Sequence, residues 1–168
     1  PLTLDRRGLI TNGDRSERKA ALTFDVGERE GDPAGFDEEI IKVLNDKQIP
    51  ATFFLGGLWM VHNPEATKIL DQNPLFELGN HAWSHLDFAQ ITPEEMSSEI
   101  ILTQEAMWEL LGWQTELFRL PFGTYTDEAL GVIADHGMYT IQWDVVSGDP
   151  DPNITAEKMI PWVIGQVR

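Results

Sequence analysis

The chain has 168 residues, enough for one domain with a true core and too few to expect two; its 42% apolar and 24% charged residues are those of a globular protein, and no apolar run reaches the roughly 20 residues of a membrane span. A net charge of −16 argues against nucleic acid, whose phosphates would be repelled, so a neutral or cationic substrate fits better unless a local basic cleft overrides the global charge. With no cysteine, disulfides and thiolate metal sites are excluded, and any metal has to be held by His, Asp or Glu.

Residues 1–19 are polar and turn-rich, with Gly8, Gly13 and a charged run over 14–19; a short strand is expected at 9–10. No basic-then-apolar leader opens the sequence, so a targeting segment is expected to be removed or absent. Residues 20–24 form an apolar run bounded by charge, which predicts a buried strand ending on Asp25. A loop of Gly, Pro and charged residues follows from Gly27 to Gly35. Apolar residues at 36, 40, 41 and 44 predict a helix over 36–48, with Pro50 as its stop. Residues 51–55 predict the next buried strand. Asn63 and Pro64 read as N-cap and first residue of a helix to about 71, and residues 75–78 as a third strand.

Thr92, Pro93 and Glu95 make the clearest helix start, a capping box with Pro at the first position. Met96, Ile100, Met107, Leu110 and Leu111 line one side of that helix, and Gly112 ends it. Residues 117–118 begin a fourth strand and 127–136 a helix stopped at Gly137. Residues 139–143 give a fifth strand, and Thr155 caps a last helix expected to break or kink at Pro161. No internal repeat or linker interrupts this alternation, so the parts assemble as a mostly parallel sheet, open or closed into a barrel.

In that layout the notable polar residues all follow the C-terminal end of a predicted strand. Asp25 follows 20–24, His81 and His85 follow 75–78, Arg119 follows 117–118, and Asp144 and Asp149 follow 139–143. Parallel α/β sheets build their sites at that edge because its loops share one mouth. His81 and His85 are four positions apart. In a helical turn such residues lie on one side, roughly 5–6 Å apart at Cβ, and two neutral imidazoles so placed can grip one ion. His62 and His136 read as structural, the latter a helix-end cation. Phe122 and Tyr125 offer aromatic faces to a ligand but also suit a core. Glu28, Glu30 and Asp32 read as a solvated acidic loop with a lesser prospect of supplying a metal ligand.

Thr23-Phe24-Asp25-Val26-Gly27, Asn80-His81-x-x-Ser84-His85, Arg119-x-Pro121-Phe122-Gly123 and Trp143-Asp144 through Asp149 resemble, in order and spacing, the motifs of the NodB-homology polysaccharide deacetylases, carbohydrate esterase family four. The likeness covers about residues 18–168. It implies a distorted (β/α) barrel of the NodB-homology type over a single domain, residues 1–168. It also implies a metal-dependent hydrolase that removes acetyl groups from an acetylated polysaccharide, an N-acetylglucosamine polymer or acetylated xylan, in a secreted or cell-envelope setting.

By the same resemblance His81 and His85 match two ligands of a divalent metal, most simply Zn²⁺, with Co²⁺ or another divalent ion an alternative. Asp25 matches the catalytic base, Arg119 the residue that holds it, and Asp149 the carboxylate that tunes a general-acid histidine. Pro121, Phe122, Gly123 and Tyr125 would line the substrate groove. Two departures stand out. The family pattern has two adjacent aspartates, the second a metal ligand, and here that place is Val26. The family's last motif, a strand ending in Leu-x-His, has no counterpart before the sequence runs out at Gly165-Gln166-Val167-Arg168, so the barrel is expected to lack its C-terminal strands. A carbohydrate-binding pseudoenzyme is therefore the alternative, and an amidase for small substrates a third.

Overall fold

The computed structural model describes residues 5–16 and 18–167. The polar, turn-rich reading of residues 1–4 and Glu17, and the chain end at Arg168, lie outside them. Six strands, β1 (Leu9–Ile10), β2 (Leu22–Val26), β3 (Ala51–Leu55), β4 (Phe76–Asn80), β5 (Leu117–Phe118) and β6 (Tyr139–Ile141), form one sheet in the order β1-β6-β5-β4-β3-β2. Every pairing is parallel. From β2 to β6 each strand lies beside its predecessor, the winding of a β/α barrel. The connections carry α1 (Glu38–Asp46), α2 (Gly57–His62), α3 (Pro64–Asp71), α4 (Pro93–Leu111) and α5 (Asp127–Asp135), and α6 (Ala156–Gln166) follows β6. No helix among the described residues is long and apolar enough to cross a membrane.

The sheet is curled. In a flat sheet β2 and β5 would stand roughly 14 Å apart, three spacings of about 4.8 Å, beyond the reach of an arginine side chain. Yet Arg119, just after β5, hydrogen-bonds Thr23 and Asp25 on β2. Side chains alternate across the strands. On β3, Phe53 and Leu55 join the apolar cluster beneath the helices, whereas Phe54 faces Arg119 on the concave side. Helices α1 to α4 cover that first cluster through Ile41, Leu44, Trp59, Met60, Leu70 and Met107. A second cluster joins the N-terminal half of α4 to α5 through Met96, Ile100, Leu130 and Ile133.

Local signals explain most boundaries. Asp37 caps α1, Thr92 and Glu95 close the expected box on α4, Gly112 ends α4 in the left-handed region at φ 80°, and Thr126 caps α5. Several expectations change. The strand read at 20–24 runs Leu22–Val26, so Asp25 lies within it, and it is only partly buried. Residues 57–62, unassigned from sequence, are α2, whose run meets α3 at Asn63; the Asn63 amide therefore donates to the Trp59 carbonyl instead of capping α3. The third strand runs two residues further, to Asn80, because Gly79 leaves room for the Phe54 ring. And β6 stops at Ile141, after which the Gln142 N–H still bonds the Ile10 carbonyl. Pro161 lies within α6 without ending it, and α6 has no buried residue.

A Cβ on Gly79 would come within 2.5 Å of Phe54 Cδ1, and Phe54 is fully buried under Arg119. Gly79→Ala is expected to destabilise the fold by about 1–3 kcal/mol through overpacking, read as a lower urea midpoint at unchanged slope.

Candidate active site

Strand register levels the rim. Val26 pairs with Leu55, Leu55 with Asn80, Asn80 with Phe118 and Phe118 with Thr140. The ladder continues one step beyond: Gly56 N–H bonds Val26 O at 2.8 Å, His81 N–H bonds Leu55 O at 3.0 Å, and Arg119 N–H bonds Asn80 O at 2.9 Å. Residues from four strands thus end in one row, which is why positions almost a hundred apart in sequence meet.

Arg119 is 2% exposed, so its N–H groups have to be paired within the protein. Nε donates to Ile141 O at 3.1 Å, Nη1 to Thr23 Oγ1 at 2.8 Å and to Asp25 Oδ1 at 2.7 Å, and Nη2 to Gln142 O at 3.3 Å. Its face lies 4.0 Å from the Phe54 ring centroid. Thr23 and Asp25 are two apart on β2, so both point to the concave side, whereas Val26 packs with the helix-side cluster.

His81 is buried, and its Nδ1–H donates to the Arg119 carbonyl at 2.9 Å. A carbonyl can only accept, so the proton sits on Nδ1 and Nε2 offers a lone pair, 3.9 Å from Asp25 Oδ2. The His85 ring stands 5.0 Å from that of His81 at 78°, with its Nδ1 buried and unpartnered. Burial is the main cause holding both imidazoles below the usual histidine range. For His85, pushed down to about 4, the neighbouring His81 and then Arg29 add to it.

Residues 81–85 form a loop rather than the helical turn expected from the spacing of the two histidines. Ala82 and His85 take left-handed backbone at φ 65° and 59°, a conformation that persists only where the surroundings impose it. Three sets of bonds do so. Ala82 N–H bonds Asn80 Oδ1 at 2.9 Å. The Gly57 and Leu58 N–H groups at the start of α2 bond the Ala82 and Trp83 carbonyls at 3.0 Å. Buried Glu99 on α4 accepts from Ser84 N–H at 2.8 Å and Ser84 Oγ at 2.7 Å. Gly27 completes the fit, since a Cβ there would fall 2.3 Å from His85 Cδ2.

Pro121–Gly123 forms a 3₁₀ turn in which Phe122 has φ 60°. The Phe122 ring is 50% exposed and stands 4.7 Å from His85; Gly123 has φ 72° against the Trp143 ring, Pro121 is buried, and Tyr125 is exposed. Asp25, His81, His85, Arg119 and Phe122 therefore converge. Asp149 does not join them: it lies in an exposed loop with the Ser147 hydroxyl as its partner, and Asp144 pairs with Arg15 at 2.6 Å. Phe54 and Glu99 carry no role in the sequence reading, and Thr23 enters it only as the first residue of its motif. Glu99 had a legible signal, a lone carboxylate in the buried stripe of Met96, Ile100 and Thr103.

The donor chemistry suits a borderline divalent ion in two positions, the His81 Nε2 lone pair and the orphaned His85 ring. A third is lacking: among the described residues no three His, Asp or Glu side chains come together to hold a metal. Glu28 is buried with its carboxylate 2.5 Å from His62 Nδ1, and Glu30 and Asp32 are exposed.

The polysaccharide deacetylase family model matches residues 12–141. The chain belongs to that family. A peptidoglycan-N-acetylglucosamine deacetylase of Bacillus cereus is 29% identical over 138 residues, 82% of this chain and 48% of its own length. A chitooligosaccharide deacetylase of Bradyrhizobium is 26% identical over 152 residues, 89% of this chain and 64% of its own. Among solved structures, a peptidoglycan N-acetylglucosamine deacetylase superposes with a TM-score of 0.83 at 26% identity over 94% of this chain and 71% of that one. A CE4 family pseudoenzyme from Bacillus anthracis does so with 0.84 at 22% identity over 96% and 56%, a likeness of fold alone. The curled parallel sheet is thus the distorted β/α barrel of this family with fewer strands. The chain spans about half the length of the curated relatives it matches, 39%, 54% and 48% for three of them.

A histidine held neutral by the fold stabilises it fully above the unfolded value of 6.5 and progressively less as pH falls from there toward the folded value, about 4 for His85. Urea unfolding of metal-free protein is expected to show stability declining from pH 7 to 4, and His85→Ala to flatten that decline.

Proposed function

We propose that residues 1–168 form one deacetylase domain that hydrolyses acetyl groups on an acetylated glycan, and that Asp25, fixed by Arg119 beside His81, is its base. That ion-paired carboxylate facing a neutral imidazole is the observation that carries the reading. His81 and His85 would hold the divalent ion, Zn²⁺ in the simplest case. When bound, the ion supplies Lewis-acid polarisation of the acetyl carbonyl and acidifies water.

The chain's own residues supply the rest. Arg119 occupies Oδ1 of Asp25 and leaves Oδ2 on the His81 side, so the carboxylate has one fixed edge and one edge free to take a proton from the attacking water. The Arg119 carbonyl fixes the His81 tautomer and aims Nε2 at that same edge. Phe122, half exposed beside His85, and exposed Tyr125 offer faces on which a sugar can rest. Asp149 enters this scheme only if its exposed loop moves toward the rim. Polymers of this kind lie outside the cell membrane, which supports a secreted or envelope location.

Val26 favours a second reading, a carbohydrate-binding pseudoenzyme. An aliphatic side chain committed to the helix-side core stands where the family pattern has a ligand carboxylate, and two imidazoles alone hold an ion more weakly than two with a carboxylate.

Acetate release from an N-acetylglucosamine tetramer and from acetylated xylan, with Zn²⁺ or Co²⁺ added, separates the two. The hydrolase reading expects turnover, a loss of about 10²–10⁴-fold in Asp25→Asn, and loss of bound metal in His81→Ala by elemental analysis. Sugar binding without acetate release in the unmodified chain supports the pseudoenzyme. In either case Val26→Asp is expected to raise metal affinity, measured by calorimetric titration.

A further inference from the structure

The turn that carries Phe122 has residue types suited to one conformation and a backbone in another. Proline sets φ at about −65° at position 121. Phe122 follows at φ 60° and ψ −7°, and the Gly123 N–H reaches Leu120 O at 3.3 Å. A negative φ followed by a positive one under such a bond is the pattern of a type II turn, whose third position asks for glycine. Leu120-Pro121-Phe122-Gly123 instead has proline second and glycine fourth, the preferences of a type I turn.

For a bulky aromatic residue a positive φ is an outlier, and it persists only where the surroundings impose it. Here the ring is what is held: it stands 4.7 Å from the His85 ring and 4.9 Å from Arg29 Cζ. The two ends of the turn are pinned. Pro121 is buried. Gly123 is pressed on the Trp143 ring, where a Cβ would come within 2.9 Å, and Thr124 Oγ1 donates to Asp87 Oδ1. Only the backbone between these ends is left to turn over.

Beside the same turn lies a buried amide with nothing to bond. Gln142 is 8% exposed, and neither its Oε1 nor its Nε2 has a hydrogen-bond partner among the described residues. A Cβ placed on Gly123 would stand 3.9 Å from that Nε2. The Gln142 backbone, by contrast, is fixed, its N–H on Ile10 O at 2.7 Å and its carbonyl on Arg119 Nη2 at 3.3 Å. A buried amide left unpaired destabilises a fold, so its presence in a native chain needs a reason. Backbone strain and an unpaired amide thus meet at one turn by separate routes.

We propose that the Pro121–Phe122 peptide flips between the two turn types, with Gln142 as the latch of the second. Type I and type II differ by rotation of that one peptide and share the bond between the first and fourth residues. The flip returns Phe122 to negative φ and reverses the Pro121 carbonyl and the Phe122 N–H. Gln142 carries both complementary atoms, a donor for the one and an acceptor for the other. The same rotation swings the Phe122 ring off His85. The turn is therefore a gate on the imidazole pair. Closed, it keeps the ring contacts and strains the backbone; open, it relieves the backbone, pairs the amide and uncovers His85. The gate is a property of the chain's own turn and holds for a hydrolase and for a pseudoenzyme alike.

Fluorine NMR on the metal-free chain tests this, with 4-fluorophenylalanine in place of its 8 phenylalanines and the Phe122 signal identified by its loss in Phe122→Leu. Relaxation dispersion of that signal is expected to show exchange on the μs–ms timescale with a minor form of about 0.1–10%. Gln142→Leu, with Gln142→Met as a second variant, is expected to quench the exchange while the melting temperature holds or rises, because an unpaired amide gives way to an apolar group of similar size. A Phe122 signal without exchange, exchange that persists in both Gln142 variants, or a melting temperature lowered in both overturns the gate.

Discussion

A guanidinium shut away from water has to find acceptors for its N–H groups, and Arg119 finds them on both flanks of the curled sheet. Its bonds to Thr23 and Asp25 reach across the concave face to β2, and those to Ile141 and Gln142 reach the end of β6. The curl and the site are therefore one fact. If the sheet flattened, Arg119 would lose its β2 partners and stand buried and unpaired, and breaking a buried pair in this way costs about 3–5 kcal/mol. The packing of Phe54 against its face makes the same demand from below. Lysine in its place would offer a point charge without the fork that spans both sides.

Around that anchor the remaining polar groups differ in how firmly they are held. The His81 ring is fixed by a carbonyl and by burial. The His85 ring is fixed only by shape, between Gly27, His81 and Phe122, and its Nδ1 is left without a partner. One imidazole is thus preset, and the other is free to take either tautomer. An ion held by these two rings would have only neutral donors from them, so its retention would depend on how well the loop over 81–85 is held.

Much of this was open to inspection in the residues. The capping box at Thr92, the stop at Gly112 and the strand–helix alternation are local signals that survive into the fold because nothing tertiary competes with them. The rim row was legible too, since a parallel sheet collects its C-terminal loops on one side. What escaped is what depends on contact across the chain. Helix α2 was missed because its six residues begin with Gly57, a poor helix former, and its first N–H groups are satisfied by the Ala82 and Trp83 carbonyls. The pairing of His81 with His85 follows from the shared rim and the motif, but not by the helical turn that their spacing suggests; left-handed residues in a pinned loop bring them together. The Arg29–Phe122 contact joins loops almost a hundred residues apart, and no periodicity announces it.

Helix α4 does two jobs on one face. Its buried stripe joins the two apolar clusters, through Met107 on one side and Met96 and Ile100 on the other, and midway along the same stripe Glu99 reaches Ser84 in the imidazole loop. Under random mutagenesis the outward positions, such as Leu102 and Trp108, should drift freely. The inward ones should tolerate almost nothing, and a swap of Glu99 for a hydrophobe could leave a well-folded protein whose imidazoles no longer face each other. Retained folding would then be a poor guide to a working centre in any variant library of this chain.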